Sequence, residues 1–114
     1  MEVVPKEIRL FRSKLGHRPY MEWFQSIEDQ RTRQIIQVRI DRLSLGNPGL
    51  TNSVGEGVQE LKISYGPGFR VYFGSEGSTV VVLLLGGDKS SQNDDIKKAK
   101  AYWKEYKEEK QNAD

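Results

Sequence analysis

The stretch from Val58 to Leu85 constrains this chain more than any other, because it reads as three strands joined by two glycine turns. Val58 to Ile63 alternates, with Leu61 and Ile63 on one side and Glu60 and Lys62 on the other. After the turn Ser64-Tyr65-Gly66-Pro67-Gly68, Phe69, Val71 and Phe73 share one face and Arg70 and Tyr72 the opposite one. That period of two marks a strand with two unlike faces. Gly74-Ser75-Glu76-Gly77 is a second hairpin turn. Thr79 to Leu85 then runs apolar without alternation, which a strand does when both of its faces are covered. A hairpin-linked meander with a doubly covered strand needs helices to cover it. Gly86-Gly87-Asp88-Lys89 is expected to leave the sheet.

The helices are legible on either side. Tyr20, Trp23, Phe24 and Ile27 form one apolar stripe behind Pro19, which suits a first-turn position where its missing N–H costs nothing. A longer helix is predicted over about Asp29 to Leu45, with Ile36, Ile40 and Leu43 inward, ended by Gly46-Asn47-Pro48-Gly49. Leu50 to Gly57 reads as a loop. A last helix, about Ser91 to Lys107, presents Ile96, Ala99, Trp103 and Tyr106 on one face, with Ser91 and Asp94 spaced as a capping box. Ahead of all this, Val4 to Phe11 alternates as a first strand, Ile8 and Leu10 against Arg9 and Phe11. The order strand, helix, helix, three-strand meander, helix predicts an α+β fold, not a doubly wound sheet. One domain over residues 1–114 is expected, with 108–114 a frayed tail.

Composition removes several classes of chemistry. There is no cysteine, hence no disulfide, zinc ribbon or thiolate nucleophile, and the single histidine, His17, cannot make a His-rich metal site. No phosphate loop, nucleophile elbow or His-Glu-x-x-His occurs. The longest apolar run, Val80 to Leu85, is far shorter than the ~20 residues of a membrane helix. The opening Met1-Glu2-Val3 lacks a signal peptide's basic start. A soluble, cytoplasmic protein that needs no metal or cofactor is expected. The net charge of +2 does not itself identify a nucleic-acid partner.

What remains is a polar row on the meander. Glu60 and Lys62 share a face of one strand, Arg70 and Tyr72 a face of the next, and a short turn sets Lys62 near Arg70, with Lys89 just beyond the last strand. A positive patch with an aromatic can hold a phosphodiester and stack a base. The plainer account is that these residues alternate outward into water. If Arg70 instead leaves the core to meet a phosphate, replacing it is expected to leave folding nearly intact. Residues 1–45 carry +3, and Arg31, Arg39 and Arg42 are either a solvated helix face or a footprint on an RNA backbone.

Taken together, Glu60-Leu61-Lys62-Ile63, Gly66-Pro67-Gly68-Phe69-Arg70-Val71-Tyr72-Phe73, Leu84-Leu85-Gly86-Gly87-Asp88-Lys89-Ser90-Ser91-Gln92 and Asp95-Ile96-Lys97-Lys98-Ala99 resemble the addiction-module killer proteins. These form the HigB-like branch of the RelE/ParE toxin superfamily. Pro19-Tyr20-x-x-Trp23-Phe24 extends the resemblance over nearly the whole chain. It implies a microbial-RNase-like fold and a type II toxin held inactive by a cognate antitoxin, a small helix-turn-helix protein. RelE-like and HigB-like members cut messenger RNA on the ribosome; ParE-like members poison DNA gyrase with the same fold. The resemblance makes Lys62, Arg70 and Lys89 catalytic candidates. Glu60 stands where a first lysine is expected and is a candidate base, Asp95 falls near an expected tyrosine, and the histidines of some relatives have no counterpart. Tyr72, Arg31, Arg39, Arg42 and Gln92 are the RNA-binding candidates. A gyrase inhibitor, or an inactive toxin serving as co-repressor with its antitoxin, are the alternatives.

Overall fold

The computed structural model describes residues 5–112. The elements run β1 (Glu7–Leu10), α1 (Pro19–Ser26), α2 (Gln30–Ser44), β2 (Thr51–Gly55), β3 (Val58–Ile63), β4 (Phe69–Glu76) and β5 (Val80–Asp88). One 3₁₀ turn at Lys89–Ser91 then leads into α3 (Gln92–Asn112). The five strands form one mixed sheet in the order β1-β5-β4-β3-β2. β1 lies parallel to β5, and the other four make an antiparallel meander. The α+β class and the element order are as the sequence predicts, with one strand more.

Period-two alternation sorts the strand residues into two cores. Leu61, Ile63, Val71, Phe73, Val81 and Leu83 pack with Tyr20 of α1 and with Ile36, Ile40 and Leu43 of α2. Val58, Tyr72, Val82 and Leu84 pack with Phe11 and with Ala99 and Trp103 of α3. β5 therefore contributes to both, which explains its unbroken apolar run. α1 opens on Pro19 at its first turn, and α2 is capped by Asp29, whose carboxylate accepts from the Thr32 N–H at 3.3 Å and the Thr32 hydroxyl at 2.6 Å.

Several boundaries differ from expectation, each for a physical reason. The start of the first strand at Val4 lies outside the described residues. Leu50 to Gly57 is not all loop: Thr51–Gly55 is an edge strand paired with β3. It lacks an apolar period because it is largely exposed, so backbone pairing alone defines it. The two-residue hairpin that follows puts both Glu56 (φ 56°) and Gly57 (φ 83°) in the left-handed region, as such turns require. Gly86, Gly87 and Asp88 do not leave the sheet but pair with Val71, Arg70 and Phe69. A Cβ on Gly86 would lie 2.0 Å from Trp23 Cε3, so that glycine is the seat of an indole, not a turn. α3 continues through residues 108–112 as helix, its end held by a Lys110–Glu76 ion pair. The capping box is absent: Asp88 caps the 3₁₀ turn, and Ser91 bonds Asp95, not Asp94.

Candidate functional site

The hairpin register gathers the predicted cations at one corner of the sheet. Lys62 is the cross-strand partner of Arg70, and Arg70 is the partner of Gly87, two residues before Lys89. Gly68 (φ 83°) sits between the last two: a Cβ there would be 3.6 Å from Arg70 Nη1 and 3.9 Å from Lys89 Cβ. Arg70 Nη1 donates to the Gly68 carbonyl at 3.0 Å. Lys62 Nζ reaches the Asn52 amide oxygen at 3.1 Å once that amide is turned to face it. Lys89 is exposed. The strand faces thus place Lys62 beside Arg70, and the Gly68 turn places Lys89 beside Arg70.

Beneath them lies a layer that the same reasoning placed in water. Glu60 is 2% exposed and Tyr72 fully buried, because α3 covers this face of the sheet. Gln92, partly buried on the first turn of α3, donates Nε2 to Glu60 Oε2 at 2.9 Å. The Arg70 Nε lies 3.5 Å from the same oxygen, with the arginine side chain 12% exposed. Neither that Nε nor the Tyr72 hydroxyl has a hydrogen-bond partner. Burial, and then the Glu60 charge, raise the Tyr72 hydroxyl above the ordinary tyrosine range, so it stays protonated. Three expectations change here. Tyr72 presents no face on which a base could stack, and Glu60 is an inward counterion of Arg70 instead of a base open to substrate. Gln92 likewise is engaged inward.

Asp95, which the sequence marks only as a departure, is a second buried acid at 7% exposure. It accepts from Ser91 Oγ at 2.5 Å and lies over Gly87, where a Cβ would fall 1.9 Å from Asp95 Oδ2. The i, i+4 spacing of Ser91 and Asp95 opposite a glycine was the available signal. Asp88 accepts from the Ser90 N–H and hydroxyl, and those bonds, with Arg70 nearby, hold its carboxyl below the usual carboxylate range. The corner's cations Lys62, Arg70 and Lys89 are thus matched by Glu60, Asp88 and Asp95, three against three. Such a corner can clamp one phosphate through a preorganised guanidinium without being a strongly positive surface. Among the described residues no three His, Cys, Asp or Glu converge to hold a metal ion.

Arg31, Arg39 and Arg42 lie outside that corner and meet it only at Lys62. They line an open groove of about 700 Å³ beside α2, whose opposite wall includes Leu50 and the Lys62-to-Tyr65 segment. Arg39 is fixed there, donating Nη1 to the Lys62 carbonyl at 2.9 Å and Nη2 to the Pro48 carbonyl at 3.2 Å.

No family model matches the chain. It is 45% identical over 78 residues, 68% of its own length and 79% of the relative's, to an uncharacterized protein of Haemophilus influenzae. At that identity and coverage, this chain belongs to the same family as the Haemophilus protein.

Proposed function

We propose that the protein is the toxin of a type II toxin–antitoxin system, of the HigB-like branch of the RelE/ParE superfamily, acting as a ribosome-dependent endoribonuclease on messenger RNA. The observation that carries this is the meeting of Lys62, Arg70 and Lys89 at the β3–β4–β5 corner. Cleavage is in-line attack of a 2′-hydroxyl on its own 3′-phosphate with expulsion of the 5′-oxygen, which needs charge stabilisation at the phosphorane, a proton taken from the 2′-hydroxyl and a proton given to the leaving 5′-oxygen. Arg70 clamps the phosphate, since its fork is held by the Gly68 carbonyl and Glu60. Lys89, exposed at the rim, and Lys62 supply the remaining positive charge. A cognate antitoxin, a helix-turn-helix protein, neutralises the toxin.

The test is induction in a bacterial host. Translation is expected to fall before replication, with messages cut inside coding sequence by primer extension, and Lys89→Ala to relieve arrest without altering folding. Full toxicity of Lys89→Ala refutes the site. DNA breaks and an SOS response with intact messages favour gyrase instead. One observation speaks for that second reading: the corner's acids balance its cations, so its pull on a polyanion is weak.

A further inference from the structure

The groove beside α2 has two properties that a solvated arginine face does not need. Its α2 wall is a single helical stripe, Arg31, Ile35, Val38 and Arg42, at i, i+4, i+7 and i+11. Eleven residues at about 1.5 Å each make that wall roughly 16 Å long, three helical turns. Both walls carry aliphatic carbon open to solvent: Val38 on α2 is 47% and Leu50 on the other wall 56% exposed, two of only four exposed large hydrophobics among the described residues. Its rim is cationic, with Arg31, Arg39 and Arg42 joined by Lys62, and no Asp or Glu of the described residues lines it. Neither Arg31 nor Arg42 forms an ion pair among the described residues.

We infer that this groove is the docking site of an amphipathic helix from a partner protein, with leucine-type anchors on one face and carboxylates flanking them. Aliphatic anchors cover Val38, Leu50 and Ile35, and the flanking acids meet Arg31 and Arg42, which is helix-in-groove recognition. RNA fits less well. A phosphate backbone gains nothing from aliphatic carbons, and bases stack on aromatic rings, of which the lining offers only the half-buried Tyr65. Arg39 contributes differently: its guanidinium bridges α2 to the Lys62 and Pro48 carbonyls and so holds the two walls at a fixed spacing. The inference does not depend on any activity at the β3–β4–β5 corner.

The experiment titrates the whole protein, its amides resolved by NMR, with a designed 15-residue helix carrying leucine at i, i+4, i+7 and i+11 and glutamate beside them. A scrambled peptide of the same composition and a 12-nucleotide oligouridine run alongside. The expected result is shifts at Ile35, Val38, Leu50 and Ser64 with the designed helix, and little with the scramble. Val38→Asp and Arg42→Glu, both at exposed positions and checked for unchanged melting, should each weaken binding about tenfold, the effect of one interface anchor. No saturable shift at the groove, equal binding of the scramble, or indifference to Val38→Asp overturns the inference. Oligouridine binding that Arg42→Glu abolishes and Val38→Asp leaves unchanged would make the groove an RNA footprint instead. Concentration-dependent dimers dissociated by Val38→Asp would put a second copy of the chain there.

Discussion

Removing the positive end of the Arg70–Glu60 pair should cost this fold far more than an exposed arginine would suggest. Arg70→Met is the informative change, because methionine retains the aliphatic volume and deletes only the guanidinium. Glu60 is then left at 2% exposure with one sure donor, Gln92 Nε2, in a site where α3 excludes water. Breaking a buried pair by removing one partner typically costs 3–5 kcal/mol, since the surviving charge remains desolvated. The Gln92 bond and the nearby Tyr72 hydroxyl place this case at the low end, about 3 kcal/mol. In a domain of this size each kcal/mol moves the melting temperature by about 4 °C, so a fall of roughly 12 °C is expected. Adding Glu60→Gln should restore about half of the loss, because a neutral amide of the same shape no longer needs a cation. The assay is thermal and urea unfolding at pH 7 of the four proteins in the cycle, read as a coupling energy. A loss under about 1 kcal/mol for Arg70→Met, or a double variant no more stable than the single one, would mean that Glu60 reaches water and the covered layer is misread. The result also decides how toxicity is interpreted, since Arg70 variants that melt early cannot report on chemistry.

The remaining predictions each isolate one contact. Gly86→Ala should displace the Trp23 indole, 2.0 Å from the added carbon, and cost about 2 kcal/mol, seen as a drop in melting temperature and a shift in tryptophan fluorescence. Gly87→Ala meets Asp95 Oδ2 at 1.9 Å and should be no milder by the same melting assay. Asp88 is held below its ordinary range by Ser90 first of all, so its contribution is present above an unfolded pKa of about 3.9 and lost as pH falls through the lower folded value. Asp88→Asn should therefore flatten the fall in melting temperature below pH 4 and leave its pH dependence above pH 5 unaltered; an unchanged acid limb refutes this. Lys62→Ala and Lys89→Ala should stay within about 0.5 kcal/mol of the parent in urea unfolding, and any larger loss would make these lysines structural.

What the sequence disclosed, and what it withheld, divides along a physical line. Alternation is a property of one strand, so the faces of β3, β4 and β5 could be assigned residue by residue, and with them the pairing of Lys62 with Arg70. What covers a face is a property of the whole topology. The inner stripe of α3 was readable as Ile96, Ala99, Trp103 and Tyr106. That it lies over the face bearing Glu60 and Tyr72, however, follows only once α1 and α2 occupy the other side. Polar residues in alternation therefore read as solvent-facing even where a helix covers them. Gly86 and Gly87 misled in the same way: a glycine pair reads as a turn, yet here the missing side chains make room for Trp23 and Asp95 pressing from opposite elements. β2 was invisible because an exposed edge strand carries no apolar period, and its pairing rests on backbone groups that every residue possesses. The arginine groove was half legible. Arg31, Arg39 and Arg42 were evident on one helix, but a groove needs a second wall, and Leu50 and Tyr65 reach it only because β2 and the β3–β4 turn bring them back alongside α2. Hence the corner, made by strands paired with one another, came through largely whole, whereas the groove, made where a helix meets a strand end and a turn, did not.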